Sequence, residues 1–208
     1  FVAHVEALIG DEKSPDGEVR VLRGAKQVAP YAGDMGHHAH HPPDLVVLPL
    51  DTRETASIVR LCYLRRVPVV TRGAGTGLEG GCVAYRGGVV IDTCLMKTMS
   101  MVHGEQLAVV GAGVLKNELN KFLEPLGLLF GPDPSSNPSI GGMASTGGSG
   151  MSTLKYGTSK ENVRSMVVVT PTGAVIRTRQ PVRKSSTGYE RNALYLGAEG
   201  TLGVITEL

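Results

Sequence analysis

Clustered glycine constrains this chain more than any other feature of its sequence. Glycine supplies 28 of 208 residues, well above the roughly 7% average. The dense groups lie at Gly73–Gly81, Gly141–Gly150 and Gly197–Gly203. They have no collagen-like period, and aliphatic runs such as 45–48 and 67–70 separate them, so they are not a flexible linker. In an ordered fold, clustered glycine marks places where main chain must approach something closely or turn left-handed.

The rest of the composition narrows the class. With 41% hydrophobic and 19% charged residues the chain suits a globular protein. At roughly 100–200 residues per domain it makes one domain or two intimate lobes. Twenty-one basic residues against 19 acidic ones leave a formal charge of +2. No basic stripe interleaved with aromatics appears, which argues against a nucleic-acid partner. Cys62, Cys82 and Cys94 have no CxxC spacing, so neither a disulfide framework nor a thiolate metal site is expected, and a reducing compartment fits. No apolar run reaches the roughly 18 residues of a membrane span. The chain opens on Phe1 without a leader, so it is expected to be processed or excised, with any targeting address missing.

Periodicity places the elements. Residues 1–43 read as a loop-rich, histidine-containing extension with a short helix at Val5–Leu8. Leu45–Leu48 reads as a buried strand closed by Pro49. Thr52 is the expected N-cap of a helix running to Arg66, on the spacing of Ala56, Val59, Cys62 and Leu64. Val67–Val70 completes a βαβ unit with parallel strands. Strands are expected at Gly88–Asp92 and Leu107–Gly111, with a turn at Met101–Glu105 between them. Val114–Leu126 reads as an amphipathic helix, Gly131–Tyr156 as a long loop without regular pattern, and Val163–Thr170 and Ala174–Thr178 as a hairpin about Pro171-Thr172-Gly173. The last glycine cluster enters a strand near Val204.

The loop after the second strand, Arg72-Gly73-Ala74-Gly75-Thr76-Gly77-Leu78, continues through Gly80-Gly81. Successive N–H groups free of side chains form an anion-binding nest; Arg72 adds a fixed charge and Thr76 a hydroxyl, a combination suited to a pyrophosphate. The loop opens no helix, unlike a Rossmann GxGxxG, and it lacks the GK[ST] of a Walker loop. The plain alternative is a glycine-rich surface turn. The second cluster, Pro132-Asp133-Pro134-Ser135-Ser136 and then Gly141-Gly142-Met143-Ala144-Ser145-Thr146 to Ser149, suggests flat backbone able to lie against a planar heterocycle. A long disordered loop is its alternative.

Other chemistry-bearing residues carry less. His37-His38-Ala39-His40-His41 has the composition of a metal site but no rigid frame or accompanying carboxylate, and a solvated loop is expected. His4 and His103 stand alone. Cys82 adjoins the first loop without a neighbouring base, so inert burial is expected. Arg177, Arg179, Arg183 and Lys184 read as a solvated basic run, with a substrate-carboxylate contact by Arg183 or Lys184 as the sharper alternative.

The RGxGT loop after a βαβ unit, the PDPSS and IGGMAST passage, Lys155-Tyr156-Gly157 and the terminal EGTLGVIT together resemble the FAD-binding domain of FAD-linked oxidases of the vanillyl-alcohol oxidase type, over about residues 43–208. That resemblance implies an α+β fold with two lobes: a small parallel βαβ lobe near 44–105 and a larger, mainly antiparallel lobe with flanking helices near 106–208. A C-terminal substrate or cap domain would follow and is absent from the chain. Carried over by position, Arg72 to Leu78 would hold the pyrophosphate. Pro132, Asp133, Gly141, Gly142, Met143, Ser145, Thr146 and Ser149 would line the ribityl chain and flavin, with Tyr156, Gly203, Val204 and Ile205 completing the wall.

Residues 71–81 contain no histidine, so non-covalent FAD is expected, and any divalent metal would belong to the missing domain. The stretches 75–81 and 183–189 bring the resemblance to the 2-hydroxy-acid dehydrogenases of that family. It implies oxidation of D-lactate to pyruvate by hydride transfer to flavin, with cytochrome c or a quinone as acceptor. Glu190 departs from the Asn or Asp usual at its position, and no catalytic base is assigned. Alternative readings are glycolate or 2-hydroxyglutarate oxidation, a flavin transferase of the ether-lipid synthase type, and a non-catalytic FAD-binding module. The implied location is mitochondrial in a eukaryote and cytoplasmic otherwise.

Overall fold

A computed structural model describes residues 1–10, 13–182 and 184–208. The chain begins with helix α1 (Val2–Ile9), a two-residue strand β1 (Val21–Leu22) and a short helix α2 (Ala25–Val28). Strand β2 (Leu45–Val47), helix α3 (Thr52–Arg65), strand β3 (Val69–Arg72) and strand β4 (Val89–Asp92) follow. A hairpin of β5 (Met99–Met101) and β6 (Ala108–Val110) leads to helix α4 (Lys116–Leu123). Then come α5 (Ile140–Thr146), α6 (Thr153–Tyr156), α7 (Ser159–Asn162), β7 (Val167–Val169), β8 (Val175–Arg177), α8 (Arg191–Tyr195) and β9 (Val204–Glu207). Among the described residues no helix is long and apolar enough to cross a membrane.

The first sheet has the order β1-β2-β4-β3. The expected βαβ unit is present with parallel strands, but β4 lies between its two strands and pairs parallel with both. All four residues of β4 are buried, as a central strand covered on both faces requires. Leu45, Val47, Val89 and Ile91 face one core with α1 and α3. Val46 and Val90 face another with Val28 and Ala84. This alternation is the period of two that a pleated strand imposes. Helix α3 is capped by Asp51, one residue earlier than expected: its carboxylate accepts from the Glu54 N–H at 2.8 Å. The Thr52 hydroxyl instead meets that of Thr206 at 2.8 Å.

Residues 1–43 pack onto the first lobe. Strand β1 adds antiparallel to β2, and Val5 and Ile9 of α1 are buried against α3. Arg20 is only 2% exposed; its guanidinium meets Glu54 at 2.7 Å and donates to the Ile9 carbonyl at 2.6 Å. The second lobe is antiparallel as expected, with β7 between β8 and β9. Val169 and Val204 from this lobe complete the core that contains α3, so both lobes share buried surface. Val110 and Leu208 exchange main-chain bonds at 2.9 Å and join the hairpin to β9.

Replacing Arg20 by Met would strand Glu54 beside the core. Removing one partner of a largely buried ion pair costs about 3 kcal/mol. Urea denaturation of the variant is expected to show that loss, whereas a loss within about 0.5 kcal/mol would show that the N-terminal segment is only loosely attached.

Candidate functional site

Strand β3 ends at Arg72, where the chain must leave the sheet, and residues 73–81 form a loop with left-handed turns at Gly75 (φ 67°) and Gly80 (φ 75°). The loop lines a cavity of about 290 Å³ together with α5 and the start of β9. The whole predicted stretch Arg72, Gly73, Ala74, Gly75, Thr76, Gly77 and Leu78 is on its wall, as are Gly141, Gly142, Met143, Ser145, Thr146, Ser149, Val204 and Ile205. Three segments distant in sequence therefore meet in one place. Their approach is close: a Cβ on Gly73 would run into the Ser139 hydroxyl, and one on Gly141 would lie 2.6 Å from the Ala112 side chain.

Pro132, Asp133, Tyr156 and Gly203 do not line this cavity. Asp133 is committed elsewhere, accepting from the Ser152 N–H at 2.7 Å and its hydroxyl at 2.8 Å. These bonds hold its carboxyl below the usual range and zip residues 133 and 150–152 together. Tyr156 packs against Gly131, where any Cβ would strike its ring stem, and takes the Lys155 ammonium 4.9 Å from its ring centre. Gly203 (φ 155°) abuts the Val169 carbonyl and lets β9 come alongside β7.

The passage expected to be flat loop is a helix at its core. Ser139 caps α5 by accepting from the Gly142 N–H at 3.2 Å, and Gly147 (φ 64°) ends it in a left-handed turn. Two glycines in its first turn hide it from propensity, and contact with Ala112 explains why Gly141 is there. The Ser145 and Thr146 hydroxyls donate back to the carbonyls of Gly141 (2.8 Å) and Gly142 (3.0 Å). Their remaining lone pairs present acceptors to the cavity.

The main chain supplies the donors. Among the described residues, no N–H group from Gly73 to Glu79 donates a hydrogen bond within the chain. Gly73, Gly75 and Thr76 are half-buried and Ala74, Gly77, Leu78 and Glu79 exposed, so these donors are open to solvent or to a ligand; a run of free main-chain donors along a cavity wall forms a receptor for an anion. Side-chain charge points the other way, because Asp34, Glu79 and Glu199 also line the cavity. The Arg72 guanidinium, expected to face the anion, is instead occupied. It donates to the Gly33 carbonyl at 2.7 Å and to Cys82 Sγ at 3.4 Å, and lies 5.3 Å from the Tyr31 ring centre.

Sequence reading missed the segment that crosses the loop. Asp34 accepts from the Gly80 N–H at 2.7 Å, Met35 donates to the Gly77 carbonyl at 3.0 Å, and His38 Nε2 meets the Leu78 carbonyl at 2.9 Å. Only the density of polar residues at 34–41 hinted at it. His38 is thus engaged with the loop and His41 lies against Tyr85 with ring centres 5.0 Å apart, while His37 and His40 are exposed. Among the described residues there is no His, Cys, Asp and Glu cluster able to hold a metal. His4 and His103 are exposed. Arg177 pairs with Glu207 at 2.9 Å and Arg179 with Glu190 at 2.7 Å, while Lys184 is exposed and Arg183 lies outside the described residues.

The model of the FAD binding domain family matches residues 43–179. This chain belongs to the FAD binding domain family. FAD is its cofactor, and the donor run of 73–79, with a wall of glycines that a Cβ would obstruct, fits a dinucleotide's diphosphate and flat ring. The chain is 39% identical over 209 residues to the "D-lactate dehydrogenase (cytochrome), mitochondrial" of Arabidopsis thaliana, covering 100% of itself and 36% of that protein. It is 39% identical over 192 residues to the D-lactate dehydrogenase of Anaerostipes hadrus, covering 91% of itself and 40% of that protein. Among solved structures, alkyldihydroxyacetonephosphate synthase superposes with a TM-score of 0.80 at 28% identity, over 93% of this chain and 37% of that one. The two-lobed α+β architecture is that of the vanillyl-alcohol oxidase type.

The three thiols of this FAD binding domain are held neutral. Burial pushes Cys62 up to about 11 and, with the Asp92 charge adding to it, Cys94 up to about 12; burial also raises Cys82, with Arg72 opposing. Little thiolate forms at neutral pH, and the thiolate is the nucleophile. Iodoacetamide at pH 7.5 is expected to label all three at least about 10-fold more slowly than free cysteine. Fast labelling of Cys82 in the folded protein would contradict this.

Proposed function

We propose that this chain is the flavin-holding part of an enzyme that oxidises a 2-hydroxy acid, with D-lactate the substrate and pyruvate the product. The observation carrying the reading is the run of unpaired N–H groups at 73–79 in a chain 39% identical to D-lactate dehydrogenases. The chain spans 36% and 40% of those two relatives, so the groups that bind the substrate carboxylate and take its hydroxyl proton are assigned to no residue here. FAD, when bound, supplies the hydride acceptor.

Within the site, the main chain of Gly73 to Leu78 binds the diphosphate. Gly141, Gly142, Ser145, Thr146 and Ser149 line the ribityl chain and ring, and Val204 and Ile205 wall off water. The acceptor lone pairs of Ser145 and Thr146 suit the hydroxyls of a ribityl chain. The FAD is proposed to be held without a covalent bond, because residues 71–81 contain no histidine. A cytochrome is the proposed electron acceptor, and the mitochondrion the proposed location in a eukaryote, since relatives carry the words cytochrome and mitochondrial in their names.

The full-length protein is expected to purify yellow, and its flavin to bleach on anaerobic addition of D-lactate but not L-lactate. Acid precipitation should release the flavin into the supernatant. A colourless protein that takes up no FAD would sink the whole reading. Bleaching by glycolate or 2-hydroxyglutarate in place of D-lactate would move the substrate. No bleaching by any 2-hydroxy acid would favour the transferase chemistry named in the structural neighbour.

A further inference from the structure

Resting on the reading that this cavity takes FAD, we propose that Asp34 and Arg72 are positioning residues for the dinucleotide, setting the direction in which the peptide groups of the 73–80 loop face, and that Arg72 does this without touching a phosphate.

Residues 73–81 lie in no helix or strand, so no regular hydrogen-bond ladder fixes their peptide planes. The segment 30–38 does so from outside. In a trans peptide the C=O and the following N–H point in opposite directions. The Met35 N–H holds the Gly77 carbonyl, which sends the Leu78 N–H away from the crossing segment; His38 holds the Leu78 carbonyl, which sends the Glu79 N–H the same way. At Gly80 the pattern reverses, because its N–H turns back to Asp34. The run of outward N–H groups therefore ends where Asp34 binds.

Asp34 uses both oxygens: Oδ2 accepts from Gly80 and Oδ1 accepts from Gly36 at 2.8 Å. A bare carboxylate on the wall of an anion site would repel the anion; two main-chain donors offset that charge. Arg72 sits behind. It holds Gly33, the residue before Asp34, at 2.7 Å, reaches Pro30 at 3.5 Å and lies against Tyr31. Its other face supports the loop, since a Cβ on Gly75 would run into Arg72 Nη2. A planar fork able to bond and stack at once does this work; a lysine ammonium does not.

The test measures FAD dissociation constants by fluorescence quenching, and thermal midpoints of apo and holo forms, on the full-length protein. Asp34→Ala is expected to bind FAD roughly 10- to 100-fold more weakly, the loss of hydrogen bonds to a charged group, with an apo midpoint within about 2 °C of wild type. Asp34→Asn keeps one acceptor and should fall between. Arg72→Lys is expected to weaken FAD as much as Arg72→Gln does. Affinity retained by Arg72→Lys but lost by Arg72→Gln would show a phosphate contact and overturn the role given to Arg72. Wild-type affinity in Asp34→Ala would overturn the role given to Asp34. Should Asp34→Ala not fold, His38→Ala, which releases only the Leu78 carbonyl, must weaken FAD at least about 3-fold, the loss of a single bond, or the proposal fails. A wild-type protein that takes up no FAD would remove the cofactor reading itself, an outcome distinct from any variant's.

Discussion

Unpaired main-chain donors on a cavity wall are the constraint around which this structure is arranged. A loop in which, among the described residues, no N–H from Gly73 to Glu79 bonds within the chain has given up the usual means of holding a backbone in shape. It must be held by its carbonyls, by its glycines' torsions and by its neighbours. Gly75 and Gly80 supply the torsions. The segment around Asp34, Met35 and His38 supplies the hydrogen bonds, and Arg72 ties the two together. The fold brings these pieces within reach of one another across about 40 residues of sequence, through the strand that ends at Arg72 and the one beside it.

That requirement explains why the two lobes share a core instead of merely touching. The cavity has one wall on the loop after β3 and the other on α5 and β9. A small rotation of one lobe against the other would separate the donors from the opposite wall. Helix α3 resists it by packing simultaneously on the first sheet and on Val169 and Val204. The left-handed turn at Gly173 sits so tightly on α3 that a Cβ there would lie 2.6 Å from the Arg60 side chain. On the far side, α1 and the buried Arg20 brace the other end of α3. The N-terminal residues thus serve the site twice, as a brace for α3 and as the crossing segment over the loop.

Local pattern carried much of this. The apolar runs at 45–48, 67–70 and 88–92 and the spacing of Ala56, Val59 and Cys62 gave strands and a helix where they occur, although Leu64 of the same pattern is exposed, because burial imposes a period that a single sequence displays. The glycine loop and its relation to β3 were legible for the same reason. What was not legible depended on partners distant in sequence. That β4 lies between β2 and β3 is a matter of pairing, not of period. Strand β1 is two residues long and says nothing by itself. Helix α5 was hidden because the glycines its packing requires are the residues that propensity penalises. The partners of Arg72 were not legible either: a cation beside an anion-binding loop suggests a phosphate contact, yet a guanidinium with five donors is equally suited to holding carbonyls such as that of Gly33.

The charge of the wall then becomes informative about what the cavity admits. Asp34, Glu79 and Glu199 share the cavity wall with a donor set made of neutral N–H groups and with Arg72, whose guanidinium is tied to the Gly33 carbonyl, so carboxylates outnumber the cation there. Two unit charges a few ångströms apart near a protein surface repel by several kcal/mol. A ligand of high charge density, such as a nucleoside triphosphate, would meet that repulsion at every end. A dinucleotide concentrates its charge in one diphosphate and carries hydroxyls on both sides of it, groups that carboxylates and the free lone pairs of Ser145 and Thr146 accept from. In the proposed function the carboxylates and the amide donors of this wall are two halves of one selection: the amides take the diphosphate, and the carboxylates favour a ligand whose flanks are alcohols.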